Sequence, residues 1–463
     1  MVKTGLQCAE MGLPAACSRR ASAYGERKRP ILHYRRKVFP MLNVDISNIW
    51  CSVSLPALLE SEQEIANAHA ALMDAKGADF LAWLDGESPE LERIEQAAET
   101  IRSMAQVLVV VGNDSAVLGA QALLELLRGR NHNLRPGLRV LFAGSDFSTR
   151  AWQALAEQLE AKEFCIQLMG RDGETVQSAV AARALRWLLE RRYGTEKARE
   201  RVFVTTDPTR GALRRISAQE GYTAFNLQRT LAGHASVLAP AAMLCLSAAG
   251  VDVRGILEGA AEARRAMEIR SFENPAWLYA AARTILARKG RRVEYLSTAE
   301  PDAWTLCRWW QGLFGGRACF GGDGLLPAAA EIPADLQQLH GLLSDGSEPI
   351  VQTVLQFDPP AQKVAVEMDW NDLDQMNYLE GFTLDYVQEQ AVQGAVQAGA
   401  DGGVPIIAVD AGALEPCSAG WLAYFFELSS CLCAGMMGRD LYEDEPPAAC
   451  TENMTRLLGK QGS

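Results

Sequence analysis

Two short segments have the composition of a turn that follows a buried strand. Residues 112–115 (GNDS) follow the apolar run VLVVV, and residues 170–175 (GRDGET) follow the run FCIQLM. A turn of this kind that leads into a helix points unpaired backbone N–H groups and the positive end of the helix dipole at a ligand, commonly a phosphate. The alternative is an ordinary strand-to-helix turn without a ligand. The candidate binding residues are Ser115, Arg171, Gly173 and Thr175.

Each of the two turns is predicted to follow a strand and to lead into a helix. Apolar runs predict strands at 107–111, 138–143, 164–169 and 202–205, and the intervening segments have helical periodicity. Such alternation predicts a parallel sheet with crossover helices, and ligands then lie beyond the carboxyl ends of the strands. Either Asp146 or Ser148 is expected to cap the helix that follows the second strand.

The second half of the chain repeats this pattern less regularly. We expect strands at 293–296, 351–356 and 363–366, an open loop at 315–324, and helices at 251–266, 275–289, 336–343, 385–398 and 418–437. The sequence therefore predicts an α/β protein of two domains, with a boundary near Gly250.

Composition limits the classes of function. The 463 residues are 48% apolar and 22% charged, which leaves room for two domains. The eleven cysteines form no CxxC pair and the five histidines show no ligand spacing, so we expect no metal and reduced thiols in a cytoplasmic protein. No apolar run reaches the roughly 18 residues of a membrane span.

Charge separates the first forty residues from the remainder. They carry nine basic and two acidic residues, a net charge of +7, which leaves −19 for the other residues because the whole chain carries −12. An acidic body argues against nucleic acid as a partner. The basic extension is either a targeting segment or upstream sequence that is not translated, with Met41 as the natural start. We expect it to be disordered or absent.

From Met41 onward the chain resembles the bacterial glucose-6-phosphate isomerases. This resemblance implies two sugar-isomerase (SIS) domains, each a parallel sheet between helical layers, at 41–250 and 251–463. It also implies a homodimer, no cofactor and a small sugar-like ligand. The segments that carry it are VFVTTDPTRGAL (202–213), ENPAWLYAAAR (273–283), WWQGLF (309–314), NYLEGFT (377–383), ADGGVP (400–405), YFFE (424–427) and NMTRLLGK (453–460).

The resemblance places the family's two phosphate loops on the two turns, but with altered side chains. The family loop GIGGSYLG falls on residues 112–119, where Asp114 replaces a glycine and Ala116 replaces the serine. The family loop SKSGTT falls on residues 170–175, where Asp172 and Glu174 replace hydroxyl donors. A carboxylate 4 Å from a unit negative charge costs about 4 kcal/mol at an effective dielectric constant near 20. These substitutions argue against phosphate binding.

The family's principal catalytic positions are also substituted. The arginine that steadies the enediolate falls on His234 and the catalytic base on Gly316, with no carboxylate before Asp323. The ring-opening histidine falls on Gln337 and the C-terminal lysine on Thr451. One possible substitute is His340, three residues after Gln337 and so on the same helix face, although a solvated surface residue is the alternative.

Two hypotheses follow from these substitutions. The leading one is a catalytically inactive or severely impaired family member with a binding, regulatory or scaffold role, whose cleft takes a neutral or cationic small molecule or nothing. The alternative is an active aldose–ketose isomerase, weak or acting on another sugar, with relocated residues such as His340, Glu174 or Asp323.

Overall fold

The fold was analysed in a computed structural model of the chain. It describes residues 41–74, 81–82, 90–112, 114–171, 173, 175–227, 237–317, 324–343, 349–439 and 449–459. The basic extension at 1–40 lies outside the described residues.

The first half of the chain alternates helices with strands. The strands are β1 (Asn43–Asn48), β2 (Val107–Val111), β3 (Arg139–Ala143), β4 (Phe164–Met169), β5 (Val202–Thr206) and β6 (Thr223–Asn226). The helices are α1 (Leu55–Glu60), α2 (Glu62–Asp74), α3 (Glu90–Met104), α4 (Asp114–Arg128), α5 (Thr149–Glu160), α6 (Val176–Tyr193), α7 (Thr195–Arg199), α8 (Ala212–Glu220) and α9 (Pro240–Ala248).

The second half has the same alternation. Its strands are β7 (Val293–Thr298), β8 (Leu326–Glu331), β9 (Ile350–Gln356) and β10 (Ile406–Asp410). Its helices are α10 (Val253–Ala266), α11 (Pro275–Arg288), α12 (Trp304–Arg317), α13 (Leu336–Leu343), α14 (Leu384–Asp401), α15 (Pro416–Met436) and α16 (Ala449–Leu457). Short 3₁₀ turns lie at His132–Leu134, Pro301–Ala303 and Asn377–Leu379.

The first sheet is parallel, with strand order β3-β2-β4-β5-β6. Strand β2 lies inside it and all five of its residues are buried, which explains its uninterrupted run of valine and leucine. The connection from β2 leads to β3 on one side, and the chain then returns to β4 on the other side. This change of direction opens a crevice at the carboxyl ends of β2 and β4, where α/β proteins bind ligands.

The second sheet has strand order β1-β10-β9-β7-β8. Its strands are parallel except β1, which runs antiparallel to β10 with Asn43 opposite Asp410. The first described strand therefore completes the second sheet, although the predicted boundary near Gly250 placed it with the first domain. Gly250 itself adopts a φ of +78° between α9 and α10. The domain boundary stays a prediction.

The sequence predicted the fold class correctly, and most elements lie where it placed them. The expected strand at 363–366 is wrong, because that segment makes only an isolated antiparallel bridge from Ala365 to Thr383. The expected loop at 315–324 is also wrong at its beginning, because Gly315 and Gly316 belong to α12. Of the two expected caps for α5, Ser148 accepts a hydrogen bond from the Ala151 N–H.

Helix α15 is the central packing element. Nearly all of its 21 residues are buried, and it packs against α10, α11, α12 and α2. Glycines allow the closest approach, since a Cβ on Gly420 would lie 1.9 Å from the Ile256 carbonyl oxygen and one on Gly259 would lie 2.0 Å from that of Cys417. Within the described part of the chain, no helix is long and apolar enough to span a membrane.

A buried ion pair connects the second sheet to the helices above it. The Glu294 carboxylate on β7 accepts hydrogen bonds from Arg283 Nε, from Tyr279 OH at 2.9 Å and from Thr353 Oγ1 at 2.6 Å. Glu294 and Tyr279 are fully buried and Arg283 is 1% exposed. The guanidinium carbon of Arg283 also lies 4.1 Å from the centroid of the Phe314 ring. Burial, followed by the nearby Glu294 charge, raises the pKa of Tyr279 well above its usual value, so its hydroxyl stays a donor.

Candidate active site and its substituted positions

The two candidate loops lie side by side at the crevice of the first sheet. Val111 at the end of β2 pairs with Leu168 near the end of β4, so the loops begin on neighbouring strands about 4.8 Å apart. The Gly112 N–H donates to the Ala143 carbonyl at 3.1 Å. A Cβ on Gly144, whose φ is +97°, would lie 2.9 Å from the Gly112 carbonyl oxygen. The first loop is therefore packed directly against the end of β3.

The second loop is fixed through its backbone. The Arg171 carbonyl accepts hydrogen bonds from the Asp207 N–H at 3.1 Å and from Thr206 Oγ1 at 2.9 Å. Gly173 has a φ of +74°, and a Cβ there would lie 2.6 Å from the Leu213 Cβ. Glycine is therefore required at position 173 by both conformation and space.

Asp207 supports this loop and was not among the residues predicted for the site. Its carboxylate is 2% exposed and accepts hydrogen bonds from Thr209 N–H at 2.8 Å, Thr209 Oγ1 at 2.7 Å and Arg210 N–H at 3.2 Å. Burial opposes ionisation of Asp207, but these donors outweigh it and hold its pKa below the usual value. The sequence signal was the turn composition Asp-Pro-Thr-Arg.

The backbones of the four predicted binding residues lie in the two loops at this crevice. Ser115 lies in the first turn of α4, which begins at Asp114. Arg171 is half-buried in the second loop. Thr175 is the N-cap residue of α6, and its hydroxyl makes no capping hydrogen bond. Asn113, Asp172, Glu174 and His234 lie outside the described residues.

Two of the substituted catalytic positions lie on different helices of the second half of the chain. Gly316 lies in the last turn of α12. Its neighbour Gly315 approaches the amino end of β8, since a Cβ on Gly315 would lie 3.4 Å from Pro327. Gln337 is exposed in the first turn of α13, beyond the carboxyl end of β8. Strand β8 lies between the elements that carry the two positions, and its six residues span roughly 17 Å at 3.3 Å per step.

The remaining predicted positions lie on the C-terminal helix, on α13 and outside the described residues. Thr451 is exposed on α16, where its carbonyl accepts a hydrogen bond from Thr455 Oγ1 at 3.0 Å. His340 lies on α13, one turn after Gln337. Asp323 lies outside the described residues. Among the residues that the structure describes, no group of three or more His, Cys, Asp or Glu side chains is placed to hold a metal ion.

Several characterised proteins are similar to this chain over most of its length. A glucose-6-phosphate isomerase of Bacillus cereus (strain AH187) is 35% identical over 406 residues, which cover 85% of this chain and 90% of that protein. A glucose-6-phosphate isomerase of Bacillus cytotoxicus is 34% identical over 434 residues, covering 90% of this chain and 96% of that protein. No protein-family model matches the chain.

Solved structures agree with the fold. A hypothetical protein from Thermus thermophilus superposes with a TM-score of 0.79 at 21% identity, covering 91% of this chain and all of that one. A glucose-6-phosphate isomerase from Chlamydia trachomatis superposes with a TM-score of 0.73 at 14% identity, covering 90% of this chain and 88% of that one. The predicted α/β fold class, with parallel sheets flanked by helices, is confirmed.

Proposed function

Because this chain belongs to the glucose-6-phosphate isomerase family, we propose that it is a catalytically inactive or severely impaired member with a binding, regulatory or scaffold role. The observation that carries the proposal is Gly316. Its position is the family's base, and a glycine in the last turn of α12 has no side chain to move a proton. Gln337 and Thr451, at two further catalytic positions, are exposed and have no group that titrates near neutral pH.

The test is turnover of fructose 6-phosphate by the purified chain in an assay coupled to glucose 6-phosphate oxidation. We expect turnover at least about 10⁴-fold below that of the Bacillus cereus relative. Turnover at an ordinary enzymatic rate would overturn the proposal. The variant His340→Ala tests the alternative of an active isomerase. If His340 is the relocated acid, any measured activity should be lost in this variant.

Loss of phosphate binding is a separate prediction. By sequence, Asp114 replaces a glycine of the family's first phosphate loop, and Asp172 and Glu174 replace hydroxyl donors of the second, so the loops carry negative charge where the family has neutral residues. A ligand at 100 times its dissociation constant adds about 2.7 kcal/mol to the free energy of unfolding. We expect 10 mM 6-phosphogluconate to raise the melting temperature by less than about 1 °C.

The control for this measurement is the Bacillus cereus relative under the same conditions. A clear rise in the melting temperature of the present chain, comparable with that of the relative, would show that the substituted loops still receive a phosphate. That result would contradict the prediction that the acidic substitutions prevent phosphate binding. It would leave the prediction of lost catalysis unchanged, because Gly316 would still provide no catalytic base.

A homodimer is part of the same proposal. Residues 364–386 form a strap outside the second sheet, with exposed apolar side chains at Trp370 (86%), Leu373 (83%) and Tyr378 (67%). The strap is internally ordered, since Asn377 Nδ2 donates to the Asp369 carbonyl at 2.8 Å. Several large apolar side chains exposed in one short segment favour a protein interface there.

We therefore expect Trp370→Asp and Leu373→Asp to shift the chain from dimer to monomer, because each would place a carboxylate in the interface. Light scattering after size-exclusion chromatography gives the mass directly. The matched control is Leu134→Asp, since Leu134 is equally exposed (84%) but lies in the first half of the chain. Equal dimer fractions in all three variants would exclude the strap as the interface.

A further inference from the structure

Helix α6 concentrates positive charge in a protein whose body is acidic. Its four arginines and one glutamate give a net charge of +3, the largest positive charge of any helix in the described part of the chain. Residues 41–463 together carry −19, because the whole chain carries −12 and the first forty residues carry +7. Basic surface is therefore scarce on this protein, and α6 is the helix that supplies most of it.

The exposed face of α6 places a tryptophan between two arginines. Arg183, Trp187 and Arg191 follow one another at intervals of four residues, so they lie on one face of the helix about 6 Å apart. Trp187 is 56% exposed, and the guanidinium carbon of Arg191 lies 5.2 Å from the centroid of its ring. Tryptophan and arginine are the side chains that most often anchor protein interfaces.

The two arginines that flank the tryptophan differ from the other two on the helix. Arg186 Nη2 lies 3.7 Å from Glu220 Oε1, and Arg192 Nη2 lies 3.1 Å from Glu163 Oε1. The flanking arginines make no ion pair with any residue that the structure describes. Their positive charges are therefore available to a partner.

The strap at 364–386 has the opposite charge. Residues 364–380 contain five carboxylates and no lysine or arginine, a net charge of −5. The Val366 carbonyl accepts a hydrogen bond from the Gly381 N–H at 3.1 Å, which brings Glu367 and Glu380 to neighbouring positions. None of the five carboxylates makes an ion pair within the described ranges. They are those of Glu367, Asp369, Asp372, Asp374 and Glu380.

These charges restrict what can cover the strap in the proposed homodimer. If the strap packed on the strap of a second copy, two sets of five carboxylates would meet, and neither segment would supply a cation. Like charges opposed across an interface are strongly unfavourable. The strap therefore requires a basic surface, and the exposed face of α6 combines positive charge with an aromatic side chain.

We propose that the strap of one copy packs against α6 of a second copy. In this contact the exposed apolar side chains of the strap lie on Trp187, and its carboxylates lie on Arg183 and Arg191. The inference rests on the homodimer proposed above and names the surface that the strap contacts in it. A two-fold dimer contains this contact twice, because each copy supplies both its strap and its α6.

The test is a charge exchange, followed by analytical ultracentrifugation at 0.15 M salt to measure the dimer dissociation constant. The helix variant carries Arg183→Glu and Arg191→Glu, and the strap variant carries Glu367→Lys and Glu380→Lys. Both glutamates of the strap are exposed and accept no hydrogen bond from a described residue. Each variant alone would place like charges in both contacts, so we expect its dissociation constant to rise at least about tenfold.

An equimolar mixture of the two variants should recover the dimer, with a dissociation constant within about threefold of that of the unmodified chain. In the mixed dimer the reversed helix meets the reversed strap, and the unmodified strap meets the unmodified helix. Recovery in the mixture also shows that both variants are folded. The matched control is the double variant Arg265→Glu, Lys289→Glu, which reverses two exposed positive charges outside α6 and should leave the dimer unchanged.

Two results would overturn this inference alone. One is an unchanged dimer in the helix variant when Trp370→Asp gives a monomer, because the strap would then contact a surface other than α6. The other is a mixture that dissociates as readily as the separate variants do. An unmodified chain that is monomeric at all concentrations would instead overturn the homodimer and this contact together.

Discussion

Replacing Glu294 with alanine is expected to lower the free energy of unfolding by about 3–5 kcal/mol, enough to unfold many domains of ordinary stability. The substitution leaves the Arg283 guanidinium buried without its counter-charge. It also removes the acceptor of the Tyr279 and Thr353 hydroxyls. Equilibrium urea unfolding, followed by circular dichroism, measures the change.

The chain contains a matched control for this effect. Arg288 lies on the same helix as Arg283, and its Nη2 lies 2.6 Å from Glu64 Oε1, but both side chains are solvent-exposed (49% and 39%). Exposed pairs contribute about 0–1 kcal/mol, so Glu64→Ala should cost far less than Glu294→Ala. The double variant Arg283→Met, Glu294→Met should recover much of the loss, because it removes both buried charges. Equal costs for the two single variants would contradict the assigned role of burial.

The second large effect concerns the reaction rate. Loss of a single general acid or base typically costs about 10² to 10⁴ in rate. Here Gly316 and Gln337 replace the base and the ring-opening acid together, so we expect kcat/KM for fructose 6-phosphate at least about 10⁴-fold below that of the Bacillus cereus relative. The base and the acid act together in one reaction, so the rate losses from removing each of them do not multiply. We therefore expect no more than this lower bound from the two substitutions together.

Restoring one group should not restore the reaction. Gly316→Glu supplies a carboxylate at the family position but leaves Gln337 and Thr451 unchanged. Because Gly316 and Gln337 lie at opposite ends of β8, no single substitution completes an acid–base pair. We expect Gly316→Glu to remain at the level of the unmodified chain in the same coupled assay. A gain of 100-fold or more in this variant would show that the remaining groups are still in place.

The sequence predicted the fold because its strongest signals are local. The five buried residues of β2 and the glycine that follows it specify a strand and a turn without reference to distant residues. Strands with mixed composition were missed, among them β8 (LPAAAE), whose alanines and proline have low strand propensity. Pairing with β7 stabilises β8, and such pairing is not visible in one segment.

The candidate site was predictable only in part, for the same reason. The two turns were located from composition, but the hydrogen bond from the Asp207 N–H to the Arg171 carbonyl joins residues 36 apart in sequence. The pairing of β1 with β10 joins the beginning of the described chain to residues near 410. A pairing between segments so far apart in the chain could not be inferred from residue order.

The central claim is tested most directly by the initial rate of glucose 6-phosphate formation from fructose 6-phosphate, with this chain and the Bacillus cereus relative assayed side by side. We expect a rate at least about 10⁴-fold below that of the relative, and the same rate in His340→Ala. A rate within tenfold of the relative would contradict it.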